Sequence, residues 1–447
     1  MDASRKMQPD LLEHVLANWP DELSGLCAFE LGLSGGLDSM VLLSLLARAR
    51  AHRPGLQVSA VHVHHGLNPA AEAWVQHCQQ VCAQWHIPLR VVRVLVDRNA
   101  PQGIEAYARQ LRYEAYQQTK ADAVVLAQHL DDQAETVLLQ LLRGGGVRAL
   151  AGMPVLRQLT DRPLWRPLLQ FTRQQLEQYA SEHALAWVED DSNHDLSYRR
   201  NMLRHRIMPL LQQHVPAYRH QIARSAWHMA QATQLLDEVV AGDFSACLTA
   251  DGLAVAPLLA LSEVRQGFVM LAWLQERGLQ GVAPNRLQEF LRQLRHAGAE
   301  AHPSLQLDGR VLLRYRQSLY LVTQLKNVPD SPIRLDAASL ENTVCSPDWA
   351  GGLQWKGGGG LSMDVIAEGL VLQPRLGGEV LMQPYGRKEV RKLLQEAGMP
   401  PVLRKQWPLI YSAEGRLLAV PGVAVASDCF DPGGFWPEWV PEMKKAP

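Results

Sequence analysis

The stretch Cys27–Arg48, CAFELGLSGGLDSMVLLSLLAR, decides how the first third of this chain folds. Cys27–Leu33 is an apolar run of strand length, and Ser39–Arg48 reads as a helix. Between them lies Ser34-Gly35-Gly36-Leu37-Asp38-Ser39. Two glycines let backbone N–H groups turn towards an anion with no Cβ in the way. Ser34 and Ser39 add hydroxyl donors, and the helix N-terminus adds partial positive charge. Together these make a cradle for phosphate. Asp38 repels a phosphate but can hold Mg2+ against one. The loop has neither the Gly-Lys-Ser/Thr ending of a Walker A motif nor the dinucleotide GxGxxG spacing. Its bland reading is a glycine-rich turn with Asp38 at a helix start.

Working outward, strand-like and helix-like segments alternate. Gln57–Val63 is a β-branched run ending in His64-His65-Gly66, and 69–86 is amphipathic and helical. Strand-like 89–96, helical 104–119, strand-like 123–126 and helical 131–142 follow. Such alternation implies βαβ units, hence an α/β fold whose parallel sheet is covered on both faces. Ligands of such sheets bind beyond the carboxyl ends of the strands, where each loop singled out here would lie. Residues 200–325 look mainly helical, with one strand-like segment at 311–322. The prolines at 329, 332 and 347 and the run Gly357–Gly360 give 326–360 the composition of a linker. A last unit has short strands around a basic helix at 388–397. The expected order is a catalytic domain over 1–215, a helical middle domain over 216–325, a linker over 326–360 and a small α+β domain over 361–435.

The chain of 447 residues is long enough for about three domains, at roughly 150 residues each. Its 44 Lys and Arg against 45 Asp and Glu exclude a protein that coats nucleic acid by bulk charge. No apolar run approaches the roughly 18 residues of a bilayer span, and no secretory leader is visible. Six scattered cysteines without a CxxC pair fit a reduced, cytoplasmic setting. Cys78 and Cys82, one helical turn apart, read as helix packing before a metal pair.

Local charge is less even. Asp131, Asp132 and Glu135 place carboxylates on one helical face, although acids in a first turn also simply complement the helix dipole. Arg109 and Arg112, one turn apart, either neutralise a triphosphate or form a solvated basic face. His64, His65 and His129 follow strands and either line a base pocket or are structural. From Leu196 to Leu236 there is no acid, but six arginines, at 199, 200, 204, 206, 219 and 224. Tyr198, Tyr218 and Trp227 add candidate stacking partners for unpaired bases. A second basic concentration is Arg387, Lys388, Arg391 and Lys392, with Arg404 and Lys405 nearby.

The SGGxDS loop after an apolar strand resembles the PP-loop of the N-type ATP pyrophosphatases, with their adenine nucleotide alpha hydrolase-like fold. Further segments narrow the resemblance: His62–Leu67, Gln128–Thr136, Glu189–Asn193 and Tyr198–Arg204, with Glu105-Ala106-x-Ala108-Arg109-x-x-Arg112-Tyr113 and Arg166-Pro167-Leu168-Leu169. In this order they are similar to the tRNA(Ile)-lysidine synthetases, most specifically over 30–215 and more loosely over 362–430. The resemblance implies a ligase using ATP and Mg2+, free L-lysine, and tRNA(Ile) with a CAU anticodon. It implies nucleotide contacts at Ser34, Gly35, Gly36, Leu37, Asp38, Ser39, His64 and His129, with Mg2+ at Asp38. Catalytic roles fall to Asp38, Asp132, Glu135, Arg109 and Arg112, the carboxylates meeting the lysine ammonium. The tRNA would meet Arg199, Arg200, Asn201, Arg204 and Arg206, and its acceptor arm Arg387, Lys388, Arg391 and Lys392. A homodimer is one assembly compatible with the sequence. The rivals are a PP-loop tRNA thiolase, which needs cysteines near the loop, and a non-catalytic tRNA-binding protein.

Overall fold

Strand β1, Ala28–Gly32, is the centre of the first unit. The computed structural model describes residues 10–97, 99–101, 103–190, 195–249, 252–279, 281–298, 301–323, 332–335, 340, 343–346, 351–405 and 407–441. Helix α1, Leu11–Ala17, is capped by the Asp10 carboxylate and lays Leu11, Leu12 and Val15 on the core. After β1 come α2 (Leu37–Ala49), β2 (Gln57–His64), α3 (Ala71–Gln84), β3 (Leu89–Arg93), α4 (Ile104–Gln117) and β4 (Ala123–Val125). Then follow α5 (Leu130–Leu142), the short α6 (Val147–Leu150), β5 (Leu156–Leu159), β6 (Arg162–Trp165) and α7 (Arg173–Glu182). The sheet order is β3-β2-β1-β4-β6-β5, parallel except for β5 against β6.

Chain order reverses beside β1, which pairs with β2 on one side and β4 on the other. Loops after β1 and β4 therefore part to opposite faces and leave a crevice at their carboxyl ends. Helix α2 buries Leu37, Met40, Val41, Leu42, Leu43, Leu45 and Leu46 almost completely, so the loop preceding it rests on a rigid base. Glu30, the one charge within β1, is buried and held by Arg90, whose Nη2 lies 2.7 Å from its Oε2.

The chain divides into two compact units, Met1–Leu235 and Leu236–Pro447. The division falls within the helix Tyr218–Cys247. In the second unit, helices Glu263–Glu276 and Pro284–His296 pack on a four-stranded antiparallel sheet. The single strand expected at 311–322 is a hairpin, Arg310–Tyr315 with Ser318–Thr323. Its two-residue turn puts Arg316 at φ 53°, and without an Asn-Gly or Gly there the turn was invisible in the sequence.

The C-terminal part has its own core around Leu353, Leu372, Leu394, Leu409 and Trp439. Here the expected linker is corrected in part: Gly351–Leu361 is an 11-residue strand pairing with Phe435–Pro441. The glycine run admits the neighbouring backbone and does not loosen the chain, since a Cβ on Gly360 would lie 2.1 Å from the Phe435 carbonyl oxygen. Much of the remaining 326–350 lies outside the described residues. The expected basic helix at 388–397 is shorter, Val390–Glu396, and Arg387 and Lys388 lie on the hairpin strand before it. Among the described residues no helix is long and apolar enough to cross a membrane.

The glycine run sets a matched test. Gly360→Ala should destabilise by about 1–3 kcal/mol and lower the melting temperature by several degrees. Gly357→Ala, with nothing within 4 Å of its added Cβ, should stay within about 0.5 kcal/mol. Equal melting of the two variants by scanning calorimetry would contradict the close-approach account.

Candidate active site

The loop after β1 is wound on its own hydroxyls. Ser34 and Ser39 Oγ lie 3.1 Å apart, Gly35 N donates to Ser39 Oγ, and Ser39 Oγ donates to the Gly36 carbonyl at 2.9 Å. Gly35 stands at φ 87°, where a side chain would be strained and its Cβ would meet Cys78 Sγ and Val188 at 3.1 Å. Gly36 caps α2 without any side-chain bond, so the first-turn N–H groups remain for an incoming acceptor. Asp38 stands in that first turn. Its Oδ2 lies 3.4 Å from Arg173 Nη1 and 3.6 Å from His129 Nε2, while its Oδ1 is buried with no hydrogen-bond partner.

Across the crevice, α5 begins at the carboxyl end of β4. His129 is only 1% exposed, with Asp38, Asp131 and Asp132 all within 3.7 Å of its ring nitrogens. Burial opposes its charge, but Asp132, Asp38 and Asp131 prevail and raise its pKa to about 9. His129 therefore joins the charge network. His65 takes the other course: burial, reinforced by the Arg112 cation, lowers its pKa to about 4. Neutral at pH 7, it stands with Nε2 3.4 Å from Arg112 Nε and Nδ1 buried without a partner. His64 faces Glu72, its Nε2 at 3.7 Å.

The carboxylates of α5 are not bare. Arg200 Nε meets Glu135 Oε2 at 2.7 Å and its Nη2 meets Asp132 Oδ1 at 2.9 Å. Arg204 reaches the same two residues, with Nε 2.6 Å from Glu135 Oε1 and Nη2 3.2 Å from Asp132 Oδ1. Arg219 Nε bonds Asp131 Oδ1, whose second oxygen accepts from the backbone of Arg173. Asp132 is held below the usual carboxylate range, because His129, Arg200 and Arg204 outweigh its burial. The spacings explain the fit: Asp132 and Glu135 are i, i+3, Arg200 and Arg204 are i, i+4, so each pair faces the other from one helical side. Arg204 stands in a π-helical turn, Leu203–Ile207.

This narrows the expected basic surface to part of the acid-free stretch. Arg200, Arg204 and Arg219 answer acids that lie some 65–90 positions earlier in the chain. Tyr218 is buried beneath the Arg219 guanidinium and offers no stacking face, whereas Trp227 is 57% exposed. Arg199, Arg206 and Arg224 do stand exposed, and Asn201 donates to the Asp195 carbonyl at 2.9 Å. Asp191–Asn193 lie outside the described residues. In the second unit Arg387 and Arg391 are exposed, Lys388 pairs with Glu396 at 2.5 Å and Lys392 approaches Glu389 at 3.9 Å. Arg404 is corrected too: it bonds the Tyr315 hydroxyl and the Met399 carbonyl and is not a free surface cation.

Sequence reasoning missed Arg173 as a partner of Asp38 and Arg219 as a partner of Asp131, for no spacing rule links positions on separate helices. Cys78 and Cys82 are buried, and burial pushes their thiols up to about 12 and about 11. Neither is a ready thiolate. Glu135, 1% exposed and facing two guanidiniums, anchors the cluster. Glu135→Ala leaves two part-buried cations without it and should cost about 3–5 kcal/mol. A denaturant midpoint unchanged from the parent protein would refute that ledger.

A PP-loop domain model matches residues 10–211, a TilS substrate binding domain model residues 253–320, and a TilS substrate C-terminal domain model residues 370–435. The tRNA(Ile)-lysidine synthase of Chromobacterium violaceum is 48% identical over 442 residues, covering 97% of this chain and 99% of that protein. That of Salmonella newport is 38% identical over 416 residues, covering 90% and 94%. Among solved structures, the U34-tRNA thiolase NcsA from Methanococcus maripaludis aligns with a TM-score of 0.43 at 17% identity, over 49% of this chain and 78% of that one. With the loop, the three matched domains and identity along nearly its full length, the chain belongs to the tRNA(Ile)-lysidine synthase family.

Proposed function

We propose that this chain joins free L-lysine to C2 of the wobble cytidine in the CAU anticodon of tRNA(Ile), converting ATP to AMP and pyrophosphate. One observation carries the reading: a phosphate loop and a compensated carboxylate cluster face one another across the crevice between β1 and β4. The C2 oxygen of cytosine is a poor leaving group. The first step therefore bonds it to the α-phosphorus of ATP and expels pyrophosphate, which Ser34–Ser39 receive through backbone and hydroxyl donors. In the second step the lysine ε-nitrogen bonds to C2, the C2–O bond breaks, and AMP leaves. The amine must lose protons on the way, and Asp132 or Glu135 is placed to accept one.

The Asp38 Oδ1, buried and without a partner, suits a hard cation. Among the described residues no three His, Cys, Asp or Glu gather to hold a metal, so Asp38 would share Mg2+ with phosphate oxygens and water. Bound there, Mg2+ would offset charge on the departing pyrophosphate. Arg109 and Arg112 project from α4 on the same sheet edge and suit the same anion.

Arg200 and Arg204 occupy the carboxylates that lysine would use. An ammonium can enter only as a guanidinium turns away, and a tRNA phosphate is the group that would draw it. Exposed Arg199 and Arg206 support tRNA contact on this side, and Arg387, Lys388, Arg391 and Lys392 suit the acceptor arm. Cys27, Cys78, Cys82, Cys247 and Cys429 are free thiols, which fits a reduced, cytoplasmic setting.

Purified protein with ATP, labelled lysine and a CAU-anticodon transcript should label the RNA, and Asp38→Asn should lower the rate at least about 100-fold. Sulfur incorporation in place of lysine would overturn the reading. Charge reversal at Arg387, Lys388, Arg391 and Lys392 should weaken tRNA binding about tenfold or more and leave ATP affinity unchanged. Unaltered tRNA affinity would remove the C-terminal contact.

A further inference from the structure

At the start of α5, Arg200, Arg204 and Arg219 each answer a carboxylate. A second group of cations on the same sheet edge has no carboxylate partner among the described residues. Arg166, the residue after β6, is 2% exposed, and among the described residues its guanidinium bonds neutral oxygens: Gln128 Oε1 and the Pro154 carbonyl, both at 2.9 Å, and the Tyr113 phenol. Arg157, on β5, lies over the Tyr113 ring at 4.9 Å, and its Nε is buried with no hydrogen-bond partner. Arg109 lies over the same ring at 5.1 Å, with Nη2 3.3 Å from the phenol oxygen. Three guanidiniums thus converge on one tyrosine. Among the described residues no Asp or Glu is paired with any of them.

That arrangement is costly, because a buried charge such as Arg166 is ordinarily paired and like charges repel. The field is visible on its neighbours. Burial would raise the Tyr113 phenol, yet Arg109, Arg166 and Arg157 pull it below its ordinary value. Burial lowers the Arg166 guanidinium, Tyr113 raises it, and Arg157 and Arg109 lower it further. Such a cluster of guanidiniums is complementary to a ligand that brings negative charge. Position agrees, because β6 neighbours β4, which neighbours β1, so Arg166 follows its strand on the edge where the phosphate loop follows β1.

We propose that Arg109, Arg157 and Arg166, gathered around Tyr113, form a phosphate-binding subsite. Arg157 and Arg166 are its new members. The phosphate comes either from the nucleotide, as the β,γ-diphosphate that leaves, or from the RNA backbone beside the target cytidine. The proposal rests on the reading of this edge as the ATP and cytidine site. Forked guanidinium donors suit either source, and Gln128 and the Pro154 carbonyl hold Arg166 in one orientation for it.

The test uses the whole protein with Arg157→Gln, Arg157→Lys and Arg166→Lys, their folding checked by thermal melting. Affinities are measured for ATP with Mg2+, for pyrophosphate, and for a CAU anticodon stem-loop at two salt concentrations. Arg157→Gln should weaken at least one probe tenfold or more, and Arg157→Lys should recover most of that loss. A loss confined to ATP and pyrophosphate assigns the subsite to the triphosphate. A loss confined to the stem-loop, with the salt slope reduced by about 0.7–0.9, assigns it to a backbone phosphate. Should Arg166→Lys not fold, Arg157→Gln decides alone. Folded Arg157→Gln protein that binds all three probes within twofold of the parent overturns the subsite. A parent protein that binds none of them overturns instead the reading of the edge on which it rests.

Discussion

Carboxylates crowded onto one sheet edge need cations, and much of the first unit is arranged to supply them. Asp38, Asp131 and Asp132 all lie beside the His129 ring because β1 and β4 are neighbours and their loops open on one crevice, and Glu135 shares Arg200 and Arg204 with Asp132. In a partly dry site such charges raise one another's pKa unless cations intervene. His129, Arg173, Arg200, Arg204 and Arg219 intervene, and they come from four separate places along the chain. The segment from 199 to 219 is thus tied to α5 by charge as well as by the small apolar cluster of Ala134, Met208 and Tyr218.

The same requirement gives the neighbouring recess its meaning. Arg166 has much the same burial as Glu135 but, among the described residues, neutral hydrogen-bond partners only. One edge of one sheet therefore holds a compensated pocket and an uncompensated one. The first suits a small cation entering in exchange for an arginine, the second an anion. The reaction proposed for this chain, between a cationic amino acid and two polyanions, asks for both, and the near-zero charge of the whole chain conceals the separation.

Much of this was legible beforehand. SGGLDS after an apolar run carries its own geometry, since glycine, hydroxyl and helix start are local requirements and need no distant partner. The alternation of strand and helix made the sheet parallel, and the i, i+3 spacing of Asp132 and Glu135 put them on one face. The long-range partners were not legible. An arginine-rich, acid-free stretch reads as a basic surface until its acids are found far away on α5. Glycines at 357–360 read as a linker until Phe435–Pro441 is seen lying against them.

By itself the sequence determined the local chemistry: the anion cradle, the acid face of α5 and the parallel α/β order. These follow from backbone freedom and side-chain period, which act over a few residues. Only the tertiary structure decided which charges are spent on one another and which are left over. Arg200 and Arg204 are neutralised while Arg157 and Arg166 are not, and no spacing along the chain distinguishes them. Coulomb energy depends on distance in space and on burial, and both are set by packing.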